Sequence, residues 1–233
     1  MPTNTVAGRA RRPRFGCGSI FIVPPATSRG PGRPPAASGA ETRQNIIRAA
    51  REVFAEVGYG AATFQEIANR AGLTRPAINH YFSDKGALFR EVLAETNVLA
   101  VGTGIERANA ETTLRGRLTA FTASAVEAAA ADRSVAAFMV TAMLEARRDP
   151  GLMPAGADPL ARSRRFLTGV VEDAIVNGDC DSDVDAAGLV EVLVSTLWGL
   201  GFYAGFIGDP VEVRAAGERV AMLLTNRLWR VRD

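Results

Sequence analysis

The 233-residue chain is 47% hydrophobic and 22% charged with a net charge of +2, enough for one or two domains with a buried core. No stretch approaches the roughly 18 uncharged apolar residues of a membrane span, and the run from Ile20 to Val23 is far too short for a signal-peptide core. Cys17 and Cys180 make no disulfide framework, and a lone histidine, His80, excludes a multi-histidine zinc site and leaves a hydrolase one candidate base.

Neither GxxxxGKS/T nor GxGxxG occurs, so the common phosphate cradles are missing as well. An enzyme is therefore a poor expectation. No metal or cofactor is expected, and a reducing cytoplasm suits the cysteines. Charge is unevenly spread. Residues 1–40 hold six arginines and no acid, whereas residues 96–233 hold fourteen bases against eighteen acids. An anionic partner at the amino-terminal end is the natural reading.

Residues 1–40, rich in Pro, Gly, Ala and Arg, do not bury enough apolar surface to offset chain entropy, and a disordered basic tail is expected. Order begins near Glu41. Ile46, Ile47, Ala50, Val53, Phe54 and Val57 recur at helical spacing, and Gly58 is a natural stop. Thr63 and Glu66 then make a capping box ahead of a short helix that Gly72 ends. Thr74 caps a second short helix, with Pro76 in its first turn, where a missing N–H is harmless. Ser83 or Asp84 opens a longer helix from about Lys85. Two short helices joined by Ala-Gly-Leu-Thr and braced by a longer one predict a helix-turn-helix. Its outer face would present Arg75, Asn79 and His80 near Tyr81 and Lys85, donors suited to phosphates and base edges.

Beyond residue 96 every periodic segment reads as helix, and the fold class expected is all-α. Apolar stripes run through Leu114, Leu118, Phe121 and Ala125 and through Val135, Phe138, Met139 and Ala142. Further helices are expected from Leu160 to about Val176, from Val184 to Phe206 and from Val213 to Trp229. Asp179, Asp181, Asp183 and Asp185 suggest a calcium loop, but Val184 and Val190 stand where its Gly and closing Glu belong.

Ile47, Ala50, Phe54, Gly58-Tyr59, Thr63, Ile67-Ala68, Ala71-Gly72-Leu73-Thr74, Asn79-His80-Tyr81-Phe82, Lys85 and Leu88 together resemble the first helices of TetR-family transcriptional regulators. The resemblance covers about fifty residues; the rest resembles the family in helix pattern alone. It implies a three-helix DNA-binding domain over 41–90 and a larger helical ligand-binding and dimerisation domain over 91–233. It implies that Thr63 lies near a phosphate, that Thr74 and Arg75 open the recognition helix, and that Asn79 and His80 lie on its exposed face. Tyr81 would reach the DNA backbone and Lys85 would hold a phosphate. Asn79 stands where many members have Tyr, and an asparagine can pair with adenine through two hydrogen bonds. Arg33, set among Gly and Pro before the first helix, is read either as an arm entering the minor groove or as part of a merely soluble leader.

The partners implied are an operator in double-stranded DNA, a second copy of the chain and a small-molecule effector, with no membrane. The helix from Val184 is apolar all round, which in a water-soluble protein requires cover all round. Leu189, Leu193, Leu197, Leu200, Val220 and Leu224 are expected at a four-helix dimer interface, the alternative being a fully internal helix of a monomer. Phe121, Phe138, Phe166, Trp198, Phe202 and Tyr203 are candidates for lining an effector cavity, beside the plainer reading that they are core. The function expected is a dimeric regulator, a repressor released by a ligand; the alternative is a helical small-molecule-binding protein or enzyme without specific DNA binding.

Overall fold

The computed structural model describes residues 39–181 and 183–224. The expectations for the tail and for Arg33 lie outside the described residues, except that Gly39 and Ala40 already belong to the first helix. That helix, α1 (Gly39–Ala61), breaks at Gly58, whose φ of 77° ends the regular turns where the sequence placed a stop. Then come α2 (Phe64–Ala71), α3 (Arg75–Tyr81) and α4 (Lys85–Asn97). α4 passes through a π-helical turn (Val98–Gly102) into α5 (Thr103–Asn109), a segment for which the sequence reading had no element. The body adds α6 (Leu114–Ala131), α7 (Arg133–Arg148), a 3-10 turn (Pro150–Leu152), α8 (Pro159–Val176), α9 (Ala186–Phe206) and α10 (Pro210–Leu224). No strand occurs among the described residues, and the all-α expectation holds.

Side-chain caps fix where these helices begin. Thr113, Asp132, Asp158 and Asp185 each accept a backbone N–H from the first turn of the helix that follows. Asp185 in this role is the structural use of the acidic stretch before α9.

The first core is built by α1 to α4 and does not close without α7. Phe54 and Phe89 meet edge to face at 5.1 Å, and Phe138 of α7 lies 5.3 Å from Phe89. All three rings are fully buried, with Ala142 and Leu152 in the same cluster. The boundary expected near residue 90 thus falls inside α4, and body residues complete the core beneath the two short helices. Phe138, a candidate for the effector cavity, belongs instead to this core.

A polar clasp joins the same elements. The Arg51 guanidinium, buried on α1, pairs with Asp132 and donates to the Ser134 hydroxyl at 2.9 Å. Asp132 also caps α7 by accepting the Ser134 N–H at 2.9 Å. Burial would raise the Asp132 carboxyl, but the Ser134 hydroxyl and Arg51 outweigh it and hold the group below its ordinary value.

α9 is long and apolar enough to cross a membrane, contrary to the expectation that no stretch is. Here it is a central element of the body. Val190, Leu193, Val194, Leu200, Ala204 and Gly205 are buried in the protein's own core. Gly205 is required by close approach: a Cβ there would stand 2.8 Å from the Ala137 backbone, so α9 crosses α7 main chain to main chain.

Asp132→Ala should destabilise the fold by about 2–3 kcal/mol, because it strands a buried guanidinium and removes a helix cap. Asp132 has a lowered folded pKa, so its contribution is present above the unfolded carboxyl value and is lost as pH falls through the folded one. Denaturant unfolding of the wild type and the variant should show a constant gap from pH 8 to about pH 5 and a narrowing gap below about pH 4. A gap that persists undiminished at lower pH would contradict the ion-pair account.

Candidate functional site

The two short helices are set by local chemistry. The Thr63 hydroxyl accepts the Glu66 N–H at 3.2 Å and the Glu66 carboxylate accepts the Thr63 N–H at 3.0 Å, which completes the capping box. Gly72 sits in the left-handed region at φ 67°, and the Leu73 N–H returns to the Ala68 carbonyl at 2.8 Å. Asn45 of α1 donates to the Ala71 carbonyl at 2.8 Å and ties the turn to the brace helix. Thr74 caps α3 through the Ala77 N–H.

Seven residues of helix do not persist alone in water. α3 is held by Ile78, which is fully buried, and by Phe82 at its end, over which the Arg43 guanidinium lies 5.2 Å from the ring centre. With Ile78 inward, Arg75, Asn79 and His80 face out and are exposed, as are Thr63 and Thr74. Tyr81 is half-buried against the core and meets the His80 ring edge-on at 5.2 Å. One guanidinium, one amide and one imidazole on a single short convex face can donate to phosphates and read base edges.

Lys85, which the resemblance places at a phosphate, is engaged within the protein in this structure. Its ammonium donates to the carbonyls of Tyr59 at 2.6 Å, Gly60 at 3.2 Å and Ala62 at 2.9 Å, and lies 4.5 Å from the Tyr59 ring centre. An ammonium has three donors, and all three are committed to the end of α1. Burial, then Asp84 and Asp149, raise the Tyr59 phenol above its ordinary value.

On the opposite side of the brace, Arg70 of α2 bonds Glu56 at 2.6 Å and Glu52 at 3.1 Å on α1, and Glu56 is held below its ordinary value by that bond. The sequence reading did not single out this pair, because its partners are fourteen and eighteen residues away.

The body holds a partly open apolar cavity of about 80 Å³, lined by the π-helical turn, α6, α7, α8, α9 and Val213 of α10. Of the six aromatic candidates, Phe121 and Trp198 line it. Phe166 packs on Phe121 at 5.0 Å outside the lining, and Tyr203 packs with α10. Phe202 is 49% exposed and stacks on Phe206 on the outside of the body. Much of the lining was missed because alanine and glycine read in sequence as ordinary helix residues, while their effect is to leave room.

Of the residues expected at a dimer interface, two are buried and four are half-buried in the single chain. Leu193 is 3% and Leu200 is 9% exposed, and Leu189, Leu197, Val220 and Leu224 are half-buried against the protein's own cores. The outer face of α9 is formed by Val192, Ser195, Gly199, Phe202 and Phe206, at spacings of three and four. A helix apolar all round gives no wheel asymmetry from which to choose a face.

A helix-turn-helix braced by a longer helix and carried on an all-α body is the class of protein these features define. Residues 46–92 match the family of bacterial regulatory proteins, tetR family. SrpR, a transcriptional regulator of Pseudomonas putida, is 47% identical over 62 residues, which cover 27% of this chain and 29% of SrpR. BepR, a transcriptional repressor of Brucella suis biovar 1, is 46% identical over 57 residues, covering 24% of this chain and 27% of BepR. These alignments span less than a third of each relative. The fold extends further. FadR from Bacillus subtilis, solved in complex with stearoyl-CoA, superposes with a TM-score of 0.62 at 21% identity over 80% of this chain and 99% of FadR. The TetR-family match is to residues 46–92, and the likeness beyond them is one of fold.

Lys85→Ala should lower stability by about 2 kcal/mol, since it strips the donor from three carbonyls and the cation from Tyr59. Urea unfolding measures this; an unchanged midpoint would show that the ammonium is not a structural tie.

Proposed function

We propose that this chain is a cytoplasmic, homodimeric transcriptional regulator that represses by binding an operator in double-stranded DNA and is released by a small-molecule effector. The observation that carries the reading is the exposed Arg75, Asn79 and His80 face of α3, held out by the burial of Ile78 within a segment that matches the TetR regulators. In this reading α3 enters the major groove. Asn79 and His80 read bases, Arg75 and Tyr81 contact phosphate or base edges, and Thr63 and Thr74 lie near the backbone at their helix starts. Arg33 would act from outside the described residues. Reaction chemistry has no part in it, and His80 serves as a DNA-facing donor.

Dimerisation is assigned to the outer face of α9 with α10. Val192 is 59% and Phe202 49% exposed on α9, and Met222 and Leu223 are exposed apolar residues of α10. An exposed apolar patch of this kind marks an interaction surface, and an isologous pairing covers it on both copies. Two copies then offer two α3 helices to a palindromic site. The effector acts through the body cavity. α7 lines that cavity with Val135, Ala136, Met139 and Val140 while it places Phe138 in the core beneath α2 and α3. An effector that binds one arrangement of α7 more tightly shifts the spacing of the two α3 helices.

Capture of genomic DNA by the full chain, followed by anisotropy titration of the captured duplexes, tests the reading. A palindromic motif should emerge, with affinity that falls steeply with salt. Asn79→Ala and His80→Ala should each change the preferred base by a discrimination of about 1–3 kcal/mol, whereas Lys85→Ala should leave the salt slope unchanged. Binding that is indifferent to sequence would sink the regulator reading.

The dimer face has its own check by light scattering and circular dichroism. Phe202→Glu should yield a folded monomer. Leu193→Glu should lose helical structure, because it buries an unpaired carboxylate in the core. A wild-type monomer at micromolar concentration would remove the α9 interface.

A further inference from the structure

We propose that the body cavity binds a small, uncharged, apolar molecule, and that Gly201 of α9 is the residue that keeps the site open; the proposal rests on the effector-responsive reading above. Three observations carry it.

The first is the chemistry of the wall. Among the described residues, no Asp, Glu, Lys, Arg or His lines the cavity. Its polar side-chain groups are the Ser163 hydroxyl and the Trp198 indole N–H. The hydroxyl is already engaged, donating to the Pro159 carbonyl at 2.9 Å. An ionised ligand would enter without a counter-charge, which is strongly unfavourable in an apolar site.

The second is the room available. The cavity, about 80 Å³, is several times the roughly 10–15 Å³ that one water needs. A water held there wants two to four polar partners, and this mostly apolar wall supplies few. Space that water fills poorly is space for an apolar occupant.

The third is how the space arises. Ala100, Ala125, Ala129, Ala136, Ala204 and Gly201 share the wall with larger side chains. At Gly201 an added Cβ would meet nothing within 4 Å. The glycine is not there for a turn or a close approach, unlike Gly205 one helical turn on. It sits in mid-helix, where glycine is less favourable than alanine, and it lines the cavity where an added Cβ would enter open space. A larger side chain would fill the site from within.

Toluene and benzoate share a ring and differ in charge, and so serve as the two probes. Emission of Trp198 is read in the full chain carrying Trp229→Phe, and thermal midpoints are read alongside. Toluene at ten times its dissociation constant should change Trp198 emission and raise the midpoint by about 3 °C, and benzoate should do neither. Gly201→Ala should raise the ligand-free midpoint by about 2–4 °C. Gly201→Met should abolish the toluene response, and a weaker toluene response in Gly201→Ala supports the same site if the larger side chain prevents folding. Benzoate binding as well as toluene would overturn the apolar assignment. A toluene response undiminished in both Gly201 variants, or no response in the wild type, would overturn the site. Captured DNA is titrated with the same preparations. Toluene binding without specific DNA binding would sink the regulator reading and uphold the cavity assignment; specific DNA binding without a toluene response would do the reverse.

Discussion

The packing of α7 is the constraint on which the rest of the structure depends. Most helices in a small domain bury one stripe, but α7 is buried on several sides. Phe138 and Ala142 close the core under the short helices, Ala136 packs with Leu200 and Ala204, and Met139 packs with Phe121. Ala137 lies against the Gly205 backbone at a distance that tolerates no side chain. Close-packed interiors transmit displacement because they have few voids to absorb it. The cavity beside Val135 and Met139 is one such void, so its filling bears on α7 directly.

The Arg51 clasp adds direction to that packing. Apolar contacts between α1 and α7 permit sliding, whereas Arg51, Asp132 and Ser134 fix register through directional bonds at the start of α7. A buried ion pair of this kind is weak evidence for net stability but strong evidence for a specified arrangement, since breaking it strands a charge. The brace helix therefore carries its orientation from the body to α2 and α3. Asn45 passes that orientation to the turn between them.

The legible parts of the sequence were those whose partners lie a few residues apart. Thr63 with Glu66, Gly72, Thr74 with Pro76, and Gly58 act through their own backbone neighbourhood, and each holds the place read for it. The outward set Arg75, Asn79 and His80 follows from one buried residue, Ile78, and helical periodicity. What was not legible depends on contacts between distant segments. The three carbonyls that engage Lys85 are 23 to 26 residues away, so its ammonium looked free. Phe138 and Phe202 are both aromatic and helical, and sequence does not say that one closes the first core and the other lies outside. The outer face of α9 was not legible, because an all-round apolar helix offers no pattern to set it.

On this packing α1 to α4 and α7 form one cooperative unit, and α2 and α3 do not move independently of the cavity wall. Native-state amide hydrogen exchange measures this directly. The account predicts that the slowest amides of α1, α4 and α7 exchange with a common opening free energy, lowered equally in all three by Asp132→Ala. Opening of α1 and α4 at a distinctly lower free energy than α7, with the variant affecting α7 alone, would contradict it.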